Sequence, residues 1–207
     1  MLKYIYCLCL IPLLFCTNRN KTETELRAHI NREIDIAPLT LAHYDGAQIQ
    51  FSEIRSEYTY LTIVPFDEDC ISCYLKFLEW HEKIASLNYG ENYTVVFVIQ
   101  GNSYSEFMTK VLDIEYVDDK FHTIMDPEFK FLEANKDIPR WIIDALVLID
   151  AENKIMMVRA PWLNEDMTQL FYEIVNKDHK LSLSSFCEIL DVDTMHLVLY
   201  ELETKMA

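Results

Sequence analysis

The hydrophobic pattern settles from about residue 39 into short runs whose period alternates between 2 and 3.6. Leu39–Tyr44 and Ala47–Phe51 are extended runs separated by Asp45-Gly46, a dipeptide suited to a tight hairpin turn. Tyr60–Phe66 and Tyr93–Ile99 are nearly unbroken β-branched, aromatic and aliphatic runs, as parallel strands covered on both faces require. Between them, Ile71–Leu87 sets Leu75, Leu78, Ile84 and Leu87 among Lys76, Glu79, Glu82 and Lys83, which predicts an amphipathic helix with those four as its apolar positions. Strand, helix and strand in that order imply parallel pairing.

The alternation continues. Ser103–Leu112 predicts a short helix and Phe121–Met125 a third strand. Asp126-Pro127 predicts a helix running to about Ala134, with aspartate as its cap and proline in its first turn. Ala145–Asp150 and Ile155–Arg159 flank the turn Ala151-Glu152-Asn153-Lys154 and predict an antiparallel hairpin. Asn164-Glu165-Asp166 caps a last helix carrying Met167, Leu170, Phe171, Ile174 and Val175. Residues 17–33 lack an apolar stripe long enough for a packed helix and predict a tether. After Lys177 the pattern loosens, with room for one helix or edge strand over Met195–Leu202, and no internal repeat occurs.

The N-terminus follows other rules. Met1-Leu2-Lys3 is a short positive region and Tyr4–Phe15 an apolar run too short to span a bilayer comfortably, so residues 1–15 are expected to be a signal peptide. Leu13-Leu14-Phe15-Cys16 resembles a bacterial lipobox, which implies that Cys16 is lipidated, although Phe15 replaces the usual small residue. An uncleaved N-terminal anchor is the alternative. The chain carries a formal charge of −16, and losing Lys3 with the leader makes it −17. Such a surface repels phosphate backbones, so nucleic acid is not expected as a partner.

Six cysteines remain to be placed: Cys7 and Cys9 leave with the leader, Cys16 takes lipid, and Cys70, Cys73 and Cys187 stay. Cys70 and Cys73 are the natural pair, one turn apart, where an apolar strand ends and a helix begins. Unpaired N–H groups and the helix dipole favour a thiolate there, and the thiolate is the nucleophile of disulfide exchange. An oxidising compartment outside the cytoplasm permits a disulfide between them. Cys187 is read as a small buried hydrophobe.

With its hairpin, Cys-containing helix, central strand–helix insertion and distal hairpin, the chain resembles the TlpA-like, redoxin-type thioredoxin-fold lipoproteins of the bacterial envelope, over residues 35–178. The residues carrying the likeness are Cys16, Pro65-Phe66-Asp67-Glu68-Asp69-Cys70-Ile71-Ser72-Cys73 and Leu148-Ile149-Asp150-Ala151-Glu152-Asn153-Lys154-Ile155. The resemblance implies an α/β thioredoxin-like fold, a mixed sheet flanked by helices, with an N-terminal β-hairpin and a central βα insertion. It divides the chain into a leader, a lipidated tether over 16–34, the domain over 35–178 and a C-terminal extension over 179–207. Family members carry a cis-proline immediately before the fourth strand. Here Asp144 holds that position and Pro139 lies five residues earlier, so either Pro139 takes the role or the site lacks it.

The expected activity is thiol–disulfide exchange with no cofactor, Cys70 attacking and Cys73 resolving. Asp67, Glu68 and Asp69 oppose the thiolate that the helix terminus favours, and Asp67 and Asp69 are expected to modulate it. Expected partners are protein thiols and disulfides of the envelope, a membrane redox donor, and the membrane through the lipid. The expected location is the cell envelope, facing the periplasm, with the outer membrane ahead of the inner. The competing reading is a non-catalytic interaction platform with an inert local bridge. Zinc is not expected, because no second ligand pair follows the C-x-x-C. A peroxidase would need threonine or serine where Asp67 stands. His81, about 12 Å along the helix from Cys73, is too far away to act as its base and is read as a surface or packing residue. Trp80, Trp141 and Trp162 are read as core or rim aromatics.

Overall fold

A computed structural model describes residues 22–67, 71–87 and 89–176. The leader, Cys16, Glu68, Asp69, Cys70, Cys187 and the segment over Met195–Leu202 lie outside the described residues. The chain divides into two compact units, one of them Asn31–Asp178 and the other Met1–Ile30 with His179–Ala207. In the second unit residues 22–29 are helical (α1), where a tether is expected. An Arg27–Glu23 ion pair at 3.0 Å, spaced i,i+4, supports that helix without an apolar stripe.

Asn31–Asp178 holds one seven-stranded sheet: β1 Leu41–Tyr44, β2 Ala47–Gln50, β3 Tyr60–Asp67, β4 Tyr93–Gln100, β5 His122–Met125, β6 Val147–Ile149 and β7 Ile155–Val158. Their order is β2-β1-β5-β4-β3-β6-β7. β3, β4 and β5 pair in parallel, and β1, β2, β6 and β7 join antiparallel at the flanks. This is a thioredoxin-like mixed sheet with the expected N-terminal hairpin and the extra strand β5. Residues 31–34, expected in the tether, are part of it. Asn31 N donates to Ile155 O and Ile34 N to Asn153 O, each at 2.8 Å, and Ile34 is buried.

The hairpin turns as expected, with Asp45 and Gly46 at φ of 48° and 72°, both in the left-handed region that a two-residue turn needs. Helices α2 Phe51–Glu57 and α6 Arg140–Ile143 are not visible in the sequence pattern. Each is at most two turns long and is held by two buried residues, Phe51 with Ile54 and Ile142 with Ile143. Such helices owe their existence to tertiary burial rather than to propensity.

Side chains alternate along β4, so Tyr93 and Phe97 share one face. Phe97 meets Phe77 of α3 (Ile71–Ala85) at 4.7 Å, and Phe77 meets Phe107 of α4 (Tyr104–Ile114) at 5.1 Å. Tyr93 meets Phe171 of α7 (Glu165–Val175) at 5.0 Å, so α3, α4 and α7 cover that face together. Of the four expected apolar positions of α3, only Ile84 is buried. The helix's buried stripe is Tyr74, Phe77, His81 and Ile84, whereas Leu75 is 52% exposed. Aromatic rings bury more area than leucine, and they decide which face turns inward.

Asp126 caps its helix from a distance. α5 spans Lys130–Ala134, beginning after Phe129 at φ 56°, and the Asp126 carboxylate accepts the N–H groups of Lys130 and Phe131 at 2.9 Å each. Pro127 therefore stands outside the helix rather than in its first turn. Asp126 N is already bound to Ile99 O at 2.8 Å, which keeps the chain on the sheet for that extra turn. α7 starts as expected, with Asn164 Oδ1 accepting from Met167 N at 2.8 Å, and all five expected apolar residues are buried.

Candidate redox site

β3 is the central strand of the parallel set, and its register with β4 runs from Tyr60–Tyr93 to Asp67–Gln100. β3 ends at Asp67 at its carboxyl end, and α3 begins at Ile71. Open α/β sheets place their chemistry at the carboxyl ends of strands. Cys73 sits in the first turn of α3, is half-buried, and is disulfide-bonded. Ser72 beside it is exposed. The first turn of α3 contains no acidic residue, so within the helix nothing opposes the dipole.

Behind the thiol turn lies an aromatic cluster. Phe66, the penultimate residue of β3, is buried and meets Phe77 at 6.1 Å, Trp80 at 5.5 Å and Phe97 at 5.7 Å. Trp80 meets Trp162 edge-to-face at 5.8 Å, and Trp162 belongs to the 3₁₀ turn Pro161–Leu163 before α7. Lys76, one turn after Cys73, holds its ammonium 4.5 Å from the Trp80 ring centre and 5.6 Å from that of Phe66. Trp80 and Trp162 are the rim aromatics the sequence suggests. The joining of Phe66, Lys76 and Trp162 around Trp80 was not legible, because it depends on α7 returning to the α3 face.

Pro139 is not a cis-proline. The described residues contain no cis peptide bond, and Pro139 is the N-cap of α6. Asp144, at the position where the resembled family carries its proline, ends that helix and forms an ion pair with Arg140 at 2.9 Å. The segment before β6 is therefore a helical turn, with its backbone groups bonded internally: Ile142 N and Ile143 N to Pro139 O, and Asp144 N to Arg140 O.

His81 is a packing residue, though a buried one. It meets Phe121 at 4.8 Å and stacks over Phe97 at 6.5 Å, and burial lowers its pKa. Its spacing from Phe77 and Ile84 on one helical stripe could have signalled that burial. No group of three His, Cys, Asp or Glu side chains able to hold a metal ion occurs among the described residues. No described helix is long and apolar enough to cross a membrane.

No protein-family model and no curated protein matches the chain. Solved structures do. A candidate electron-transfer protein from Aquifex aeolicus VF5 aligns over 72% of this chain and 99% of its own, at 12% identity and a TM-score of 0.50. The thioredoxin domain of a thiol-disulfide oxidoreductase from Bacteroides vulgatus aligns over 66% and 91%, at 11% identity and a TM-score of 0.46. A thiol:disulfide interchange protein from a Bacteroides species aligns over 69% and 88%, at 13% identity and a TM-score of 0.46. At these identities the likeness is one of fold.

Proposed function

We propose that this chain is a lipid-anchored thiol–disulfide oxidoreductase of the bacterial envelope, working through Cys70 and Cys73. The observation that carries the reading is the disulfide-bonded Cys73 in the first turn of α3, at the carboxyl end of the central strand of a thioredoxin-like sheet. In the reduced protein the Cys70 thiolate attacks a substrate disulfide, and one substrate sulfur leaves as a thiolate. Cys73 then attacks the Cys70 sulfur, releasing the second substrate thiol and closing a Cys70–Cys73 disulfide. Two electrons pass to the substrate, and a dithiol donor at the membrane restores the pair. Cys16 carries the lipid, and the domain faces the periplasm, at the outer membrane in preference to the inner.

The test is trapping. A Cys73→Ala variant accumulates mixed disulfides with substrate proteins and a Cys70→Ala variant does not; equal trapping by both, or by neither, removes the assigned roles. The second reading is an interaction platform with an inert bridge. It is favoured by Pro139 serving as the cap of α6 and by the Arg140–Asp144 ion pair where the family's proline would stand. Insulin reduction that disappears in the double-cysteine variant eliminates it.

A further inference from the structure

Among the described residues, five other than glycine hold a positive φ: Asn31, Asp45, Phe129, Asn153 and Arg159. Asparagine and aspartate tolerate the left-handed region because their short polar side chains bond locally. Phe129 at φ 56° and Arg159 at φ 88° have no such excuse. A bulky side chain there costs backbone energy that glycine would spare. Neither side chain recovers the cost by full burial, since Phe129 is 48% exposed and Arg159 is half-buried.

The two groups separate by place as well as by type. Asp45 and Asn153 lie in hairpin turns at the amino end of β3, and Asn31 bonds Ile155 at the start of β7, near the same end. Phe129 and Arg159 lie at the other end. β4 and β5 run parallel to β3, so the turn after Met125 that carries Phe129 stands at the carboxyl ends of these strands. Val147 of β6 is opposite Ile63 and Val158 of β7 is opposite Val147, both pairings antiparallel. Arg159, the next residue, is therefore carried toward that same edge, where its N–H bonds Leu146 O at 2.6 Å.

That edge is also the one at which α3 begins, with Cys73 in its first turn. Three residues beyond Arg159, Trp162 meets Trp80 of α3 at 5.8 Å, which ties the Arg159 segment to the helix of Cys73. In the order β5-β4-β3-β6-β7, Phe129 and Arg159 stand two strands to either side of β3. With strands about 4.8 Å apart, each is about 10 Å across the edge from β3. Backbone strain of this kind persists where it serves contact with a ligand.

We infer that Phe129 and Arg159 are specificity-determining residues of the thiol site and grip a substrate polypeptide on either side of its reacting cysteine. Arg159 bonds a substrate carboxylate, for which its planar fork is suited, and Phe129 packs on an aliphatic side chain. The inference rests on the redox reading and adds a substrate class to it: cysteine segments with an acidic residue on one side and an apolar residue on the other. An extended chain advances about 3.3 Å per residue, so each partner is expected about three positions from the cysteine.

The experiment mixes the prereduced full chain with Gly-Leu-Gly-Gly-Cys-Gly-Gly-Glu-Gly, and with the peptide of reversed order, each activated as its 2-pyridyl disulfide. Attack at the peptide sulfur releases 2-thiopyridone, and closure of the Cys70–Cys73 disulfide then releases the peptide thiol. The second-order rate constant is read from thiopyridone release, with 2-hydroxyethyl 2-pyridyl disulfide as the small control. In at least one order, replacing the peptide's glutamate by glutamine should slow the parent about tenfold, the worth of one charge-assisted pair. The same replacement should change nothing in Arg159→Gly, and Arg159→Lys should keep part of the preference. Replacing the peptide's leucine by glycine should slow the parent but not Phe129→Gly. Both glycine variants should react with the small control as the parent does and unfold at no lower urea concentration. A merely structural role would not produce that combination. Equal rates for the glutamate and glutamine peptides in both orders, a preference that survives in Arg159→Gly, or lower urea midpoints in both glycine variants would each overturn the inference. A parent inert even to the small control would remove the redox reading, and this inference with it, so the two failures are told apart.

Discussion

The two ends of β3 are held by different forces. At its amino end the Arg55 guanidinium donates to Tyr58 O at 2.8 Å, to Asn153 Oδ1 at 2.9 Å and to Asp150 O, joining α2, the start of β3 and the β6–β7 turn. Asp150 Oδ1 in turn accepts from Glu152 N and Lys154 N at 2.9 Å each, and Tyr93 hydroxyl donates to Thr62 Oγ1 at 2.9 Å inside the core. At the carboxyl end Phe66, Phe77, Trp80 and Trp162 make ring contacts at 5.5 to 6.1 Å. Hydrogen bonds are directional and expensive to leave unmade, so they hold one geometry. Ring packing is strong but tolerates sliding. The strand is held by directional bonds at its amino end and by ring packing at the end that leads to Cys73, and under the proposed function the looser restraint would suit a site that meets different substrate surfaces.

Substitutions at the two ends should separate stability from activity. The largest effect is expected at the thiols. Cys73→Ser abolishes exchange, read by insulin reduction, yet changes the unfolding midpoint little, because a bridge across so short a loop removes little chain entropy. Arg55→Met should do the reverse. It leaves the Tyr58 and Asp150 carbonyls without their donor and costs about 2–3 kcal/mol in urea unfolding, while exchange per folded molecule stays within about twofold. Comparable losses of activity at both ends would show that they are coupled, and the comparison would fail. Trp80→Leu sharpens it, since a half-exposed ring should cost only about 1–2 kcal/mol but alter exchange more than Arg55→Met does.

How much of this was legible beforehand depended on whether a feature is local. The strands, the Asp45-Gly46 turn and the Asn164 cap were readable, since each depends on residues within one or two turns. The Arg55 clamp was not, because it spans almost one hundred residues and a lone arginine near a short helix carries no periodic signal. α3 shows the intermediate case. Its helical period was plain, but choosing between a leucine face and an aromatic face required knowing that Phe97 and Phe107 would be opposite. For the candidate site, the place of Cys73 at the start of a helix was legible from spacing and context. The fate of Pro139 was not, because proline serves equally well before a helix and before a strand.

Histidines that are wholly or partly buried provide a further way to probe the same contrast by pH. His81, His122 and His43 all have lowered pKa values, each mainly through burial and each partly offset by carboxylates, Asp119 among them. A base whose folded pKa lies below its unfolded value binds fewer protons in the native state. Stability is then complete above about pH 6.5 and falls as pH drops through the range between that value and the folded pKa. Urea unfolding should show lower stability at pH 5 than at pH 7.5. His122→Asn should flatten part of that slope, since it replaces the ring whose Nδ1 meets Thr94 Oγ1 at 3.2 Å. An unchanged slope would place the acid sensitivity elsewhere.

The smallest expected effect concerns the acids before the thiols. Asp67 ends β3 opposite Gln100, and Asp69 immediately precedes Cys70 in sequence; under the proposed function their carboxylates would act on the Cys70 thiol against the amino end of α3. A carboxylate near a thiolate disfavours the charged form, whereas the helix terminus favours it. Asp67→Asn with Asp69→Asn keeps the shape and removes the charge. The double variant should therefore lower the Cys70 pKa by less than about one unit. Stabilising the thiolate stabilises the reduced form, so the reduction potential should rise with it. Because exposed charges are screened within about 10 Å at 0.1 M salt, the difference from the parent should shrink as salt is raised. A thiol pKa and potential identical to the parent's at low salt would mean that the helix terminus alone sets the thiol's local bias.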